Sequence, residues 1–131
     1  MSKNLKMKRV TTFVKWKIVN GFPEYKISNN GLLLKNGVLQ SPLVENLGKE
    51  KNLFYKYVNL KNKSNKNRFG KKFFIHRLVW IHFGNNENYK PLVIDHINND
   101  SMDNRIENLR LISIYENLIK GKISKLLKNS S

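Results

Sequence analysis

The chain has 131 residues, with 25 Lys and Arg against 9 Asp and Glu and a formal charge of +16. That excess is too large for an ordinary soluble domain and implies a polyanionic partner, with nucleic acid first, while the length allows one modest domain or two small subdomains. There is no cysteine, which excludes disulfides and a Cys-clamped zinc site, and no apolar run reaches signal-peptide or membrane-spanning length, so a cytoplasmic, soluble chain without a membrane partner is expected.

In chain order, "FVKWKIV" (13–19) alternates like a strand and "NGFPEY" follows as a turn. "YKISNNGLLL" reads as two strands joined at Asn29-Asn30-Gly31, and "YKYVNLKN" (55–62) is a further alternating strand. Residues 1–72 are therefore expected to form a small antiparallel β-rich module. Residues 1–90 hold 19 Lys and Arg against 4 acids, whereas residues 91–131 hold 6 against 5, so the anion-binding face belongs to the front. "GKEKNLFYKYVNLKNKSNKNRFGKK" interleaves its cations with Phe54, Tyr55, Tyr57 and Phe69, and Lys56, Lys61, Lys63, Lys66, Arg68, Lys71 and Lys72 are expected phosphate contacts.

Residues 73–131 change period. In "FFIHRLVWIHFG", Ile75, Leu78, Val79 and Phe83 fall at helical spacing and predict a helix from about His76 to His82, stopped at Gly84. His76 and His82 are six apart and do not share a helix face as a metal pair would; His82 is expected to be packed or on the surface. Arg77 can reach a phosphate or brace the fold. "PLVIDHI" and "RIENLRLIS" predict two strands around "NNDSMDN", where Asp100 and Asp103 are turn formers because the calcium-loop pattern is missing. Ser113 and Glu116 make a capping box, so a helix starts near Ile114 with Asn117 in its first turn. Trp16, Trp80 and the phenylalanines are expected in the core.

A strand bearing Asp95-His96, a return strand and a helix bearing Asn117 make a ββα unit whose ends can converge. A carboxylate and an amide oxygen are hard ligands suited to Mg²⁺ (or Mn²⁺), with no place for zinc. Imidazole titrates near neutrality and can deprotonate an attacking water. Adjacent residues of a regular strand point to opposite faces, so Asp95 and His96 reach one phosphate only if the strand is distorted or the phosphate lies over its end; a distortion is expected. Arg105 and Arg110 flank the hairpin, placed to brace that phosphate or to pair with Glu107 or Glu116.

"VIDHINNDSMDNRIENLRLISIYEN" resembles the HNH, or ββα-metal, endonucleases of the phage and intron-homing type, in the subgroup with Asp-His first and Asn last. "IHRLVWIHFG" is similar to the helix before that strand, and "WKIVNGFPEYKISNNGLL" to a nuclease-associated modular motif thought to bind DNA. The resemblance runs from about Trp16 to Leu118 and implies an α+β protein, a β-rich front module followed by a ββα-metal nuclease. It further implies that Asp95 and Asn117 hold one divalent metal, that His96 is the general base, and that Asn108 ties the loop to the hairpin. The expected activity is phosphodiester hydrolysis in double-stranded DNA by a monomer that nicks or a dimer that cuts both strands, with a phage-encoded chain among the settings that fit. Only 13 residues follow Leu118, so no helical DNA-reading domain is expected after the nuclease. The alternative is a non-catalytic DNA- or RNA-binding protein on a degenerate nuclease scaffold, from which retention of Asp95, His96 and Asn117 together distinguishes the enzyme.

Overall fold

The computed structural model describes residues 13–48, 53–63, 69–85 and 92–129. A four-stranded antiparallel meander comes first: β1 (Trp16–Val19), β2 (Phe22–Ser28), β3 (Leu33–Lys35) and β4 (Val38–Gln40). The β2–β3 turn is Asn29-Asn30-Gly31, with Gly31 at φ +86°. The β3–β4 connection is Asn36-Gly37, both residues at positive φ (49° and 80°), which is the two-residue turn that matches strand twist. A second antiparallel sheet holds β5 (Leu43–Asn46), β6 (Phe54–Leu60) and β7 (Lys71–Phe74) in that order.

From β7 the chain enters α1 (Ile75–Phe83), which buries Ile75, Leu78 and Val79 on one face, the i, i+3, i+4 stripe read from the sequence. Each such side chain removed from water contributes about 1.5–3 kcal/mol. Gly84 ends the helix without a left-handed residue: its φ is −83° and its N–H donates to Trp80 O at 2.8 Å. The reason for glycine is space, since a Cβ there would lie 2.4 Å from the Trp80 ring.

The third unit is the hairpin of β8 (Leu92–His96) and β9 (Leu109–Ser113), with a 3₁₀ turn at Ile106–Asn108 before β9, followed by α2 (Ile114–Asn129). The architecture is α+β, as expected. One core links the front sheet to the hairpin: Val19, Phe22, Tyr25, Ile27 and Leu33 join Val58, Leu60, Ile75, Leu78, Val79 and Leu109, while the apolar residues of α2 stay exposed. Burial is therefore continuous across residues 72 and 73, and α1 is the piece both halves share. Trp80, Phe73 and Phe83 pack against this core, but Trp16 is 37% exposed and Phe13 81%, so neither belongs to it. No described helix is long and apolar enough to cross a membrane.

Candidate active site

The loop between β8 and β9 is built on side-chain amides. Asn108 Oδ1 accepts the Asn98 N–H at 3.0 Å, and its Nδ2 donates to Asn98 Oδ1 at 2.9 Å and to Asp103 O at 2.8 Å. Asn108 thus closes the loop onto the base of the hairpin and is itself buried. Asp100 Oδ1 accepts the Met102 N–H at 3.0 Å, and Asp103 accepts two bonds from the Arg105 guanidinium, both at 2.8 Å. Those bonds are the main reason the Asp103 carboxyl is held down at about 2. Arg105 also pairs with Glu107 at 3.5 Å, and half of its side chain stays exposed.

Asp95 and His96 end β8, and both are buried, 8% and 6% exposed. The β8–β9 register is unbroken from Leu92↔Ser113 to His96↔Leu109, so the distortion expected at this point is absent. The side chains diverge as a regular strand requires. Asp95 faces α2 and its cross-strand neighbour: Arg110 Nε donates to Oδ2 at 2.9 Å, and Lys120 Nζ donates to Oδ1 and Oδ2 at 2.8 and 2.9 Å. Arg110 therefore pairs with Asp95 and not with Glu116. His96 faces the other way, its ring 6.0 Å from Tyr55 on β6 and 5.3 Å from His76 on α1, with Nε2 2.8 Å from Asn104 Oδ1.

Helix α2 starts where the capping box placed it, with the Glu116 N–H donating to Ser113 Oγ at 3.0 Å. Asn117 is in its first turn with an exposed side chain, and it is Lys120, three residues on, that reaches the carboxylate. Lys120 Nζ also donates to the His96 backbone oxygen at 3.0 Å. Three oxygens thus converge on one cation, the all-oxygen donor chemistry that a hard divalent ion takes. Nothing in the sequence marked Lys120, because its reach depends on how α2 docks. Among the described residues no group of three or more His, Cys, Asp or Glu is placed to hold a metal.

His76 is mostly buried, and its Nδ1 has no hydrogen-bond partner among the described residues. Burial first, then His96 and Arg77, push its pKa down to about 4, so the ring is neutral. Burial and the Asp95 carboxylate raise the Tyr55 hydroxyl. His82 is a structural clip: it bonds Leu78 O through Nδ1 at 2.8 Å and accepts the Asn20 N–H through Nε2 at 3.1 Å, fixing α1 to the β1–β2 turn.

Of the expected phosphate contacts, Lys61, Lys63, Lys71, Lys72 and Arg77 are exposed and Lys56 is half-buried on β6. Lys72 is paired with Glu45 and lies over the Tyr57 and Phe74 rings at 4.5 and 5.1 Å. Lys66 and Arg68 lie outside the described residues.

Residues 73–119 match the profile of the HNH endonuclease family. The fold resembles that of the HNH homing endonuclease I-HmuI, whose structure was solved in a study of its DNA binding and cleavage. The TM-score is 0.66 and the identity 27%, over 85% of this chain and 59% of that one. The chain thus spans about three fifths of that neighbour's length. No curated protein matches it. Residues 73–119 therefore carry the pattern of the HNH endonuclease family, on a fold similar to that of a homing endonuclease.

Proposed function

We propose that the protein is a divalent-metal-dependent DNA endonuclease that hydrolyses phosphodiester bonds, leaving 5′-phosphate and 3′-hydroxyl ends. The observation that carries this reading is the oxygen cradle of Asp95 and the His96 carbonyl beside a buried imidazole, inside the segment that matches the nuclease family. His96 is the general base that takes the proton of the attacking water. Asp95 and Asn117 would hold one Mg²⁺ or Mn²⁺, at the carboxylate oxygens that Lys120 otherwise occupies. Such an ion supplies positive charge against the transition state and the leaving oxygen. Because Asp95 and His96 diverge, the phosphate they serve lies over the end of β8.

Lys56, Lys61, Lys63, Lys71, Lys72 and Arg77 supply the positive charge that grips double-stranded DNA, with Lys66 and Arg68 as further contacts from outside the described residues, while Arg105 and Arg110 are engaged by acids within the protein. One site per chain cuts one strand, so a monomer nicks and a dimer is needed for a double-strand break. Relaxation of supercoiled plasmid, with and without metal, tests the reading.

A second reading has its own support. Asp95 already has two cationic partners, Arg110 and Lys120, and a nucleic-acid-binding scaffold without turnover needs no others. The same assay separates the two, since the scaffold leaves plasmid intact.

A further inference from the structure

His96 Nε2 and Asn104 Oδ1 are 2.8 Å apart, and both residues are buried. A carbonyl oxygen only accepts, so Nε2 carries a proton, and in the neutral ring Nδ1 is then the nitrogen with the lone pair. Asn104 Nδ2 is buried without a partner among the described residues, so the amide is set for what its oxygen does. The residue was hidden in the sequence within a loop that reads as turn chemistry alone.

Asn104 is held in turn from the front sheet. The Ile106 N–H donates to Asn29 O at 2.7 Å, which joins the loop to the β2–β3 turn. In that turn Gly31 packs so tightly that a Cβ would lie 3.2 Å from Asn104 Cβ and 3.3 Å from Ile75 Cγ2. A side chain at residue 31 has no room unless Asn104 gives way.

We propose that Asn104 is a positioning residue that fixes His96 in the Nε2–H tautomer, and that the Gly31 turn of the front sheet sets where Asn104 stands. The front module then supports the chemistry as well as the grip on DNA. The inference rests on the reading of His96 as general base. It makes Nδ1 the nitrogen that accepts the proton.

The test is the tautomer of His96, read by ¹⁵N-edited NMR on the full chain at a pH where imidazole is neutral, beside single-turnover cleavage and DNA affinity. In the wild-type chain the Nε2–H form is expected. Asn104→Asp keeps an acceptor and retains both the tautomer and cleavage. Asn104→Leu mixes the tautomers and lowers kcat about 10- to 100-fold, the usual scale for an outer partner that orients a site, with DNA affinity unchanged.

Gly31→Ala is compared with Gly37→Ala. Both glycines have positive φ, +86° and +80°, but a Cβ at residue 37 meets nothing within 4 Å. Equal backbone strain with unequal contact means that only Gly31→Ala disturbs the His96 tautomer. An Nδ1–H tautomer in the wild-type chain overturns the proposal, and that spectrum decides it even where Asn104→Leu fails to fold. So does an unchanged tautomer in Asn104→Leu, or equal effects of the two glycine variants. Full cleavage by His96→Ala would instead sink the general-base reading while leaving the tautomer assignment to stand on its spectrum.

Discussion

Lys120 Nζ lies 2.8 and 2.9 Å from the two carboxylate oxygens of Asp95, so a side chain of α2 provides the cation for the buried acid of β8. An ammonium held this way and an incoming metal compete for the same oxygens. Lys120→Met is therefore expected to bind Mn²⁺ more tightly in the absence of DNA, on the order of tenfold, which corresponds to about 1.4 kcal/mol. It should melt lower in metal-free buffer, because Asp95 keeps only Arg110, and recover on adding Mn²⁺. Calorimetric titration and thermal melts read both effects; unchanged affinity would show that the metal enters elsewhere.

His76 sets a pH dependence of stability. Its pKa is lowered from the ordinary 6.5 to about 4, so between those values the unfolded chain binds more protons than the folded one. Stability is full above about pH 6.5 and declines toward pH 4, by at most about 3 kcal/mol. Asp103 acts in a separate window, its contribution present above pH 3.8 and lost as pH falls toward 2. Urea midpoints at pH 7.5 and 4.5 should differ for the wild type and converge for His76→Phe.

What was legible in the sequence was what local chemistry decides. Asn29-Asn30-Gly31 reads as a turn because its backbone needs positive φ, and Ser113 with Glu116 reads as a cap because the first turn of a helix needs acceptors. The apolar stripe of α1 and the strand ending at Asp95-His96 follow from period. The relations that make a site are contacts between elements distant in sequence, and none has a period. Lys120 meets Asp95 over 25 residues, and His76 meets His96 only because α1 packs beside the hairpin. Asn104 looked like one more turn residue. The distortion expected in β8 failed for a physical reason: α2 approaches one face and β6 with α1 the other, so diverging side chains each find their own partners.

Asn108 should be a stability residue above all. Asn108→Ala removes three side-chain hydrogen bonds made from a buried position and frees the partly buried Asp103 carbonyl and the exposed Asn98 groups that they hold. At about 1 kcal/mol net for each bond, plus any unsatisfied group, the loss is about 2–4 kcal/mol in urea unfolding. A loss under about 0.5 kcal/mol, the level of an ordinary surface change, would mean the loop is closed by other contacts.

The basic face predicts a steep salt response. If about six phosphates are neutralised, DNA affinity falls about a thousandfold between 50 and 200 mM salt. Charge reversal at Lys61 and Lys71 should lower the slope of log affinity against log salt, read by fluorescence anisotropy on a duplex. A flat response would contradict the assignment of that face.

The central claim is that His96 and a divalent ion cut DNA at the end of β8. The direct measurement is relaxation of supercoiled plasmid by the purified chain with Mg²⁺, with EDTA, and with His96→Ala, alongside duplex binding by the same samples. Metal-dependent nicking is expected, abolished by EDTA and reduced about 10²- to 10⁴-fold in His96→Ala with binding retained. Plasmid left supercoiled by the wild type with Mg²⁺ or Mn²⁺, or nicked equally well by His96→Ala, would contradict it.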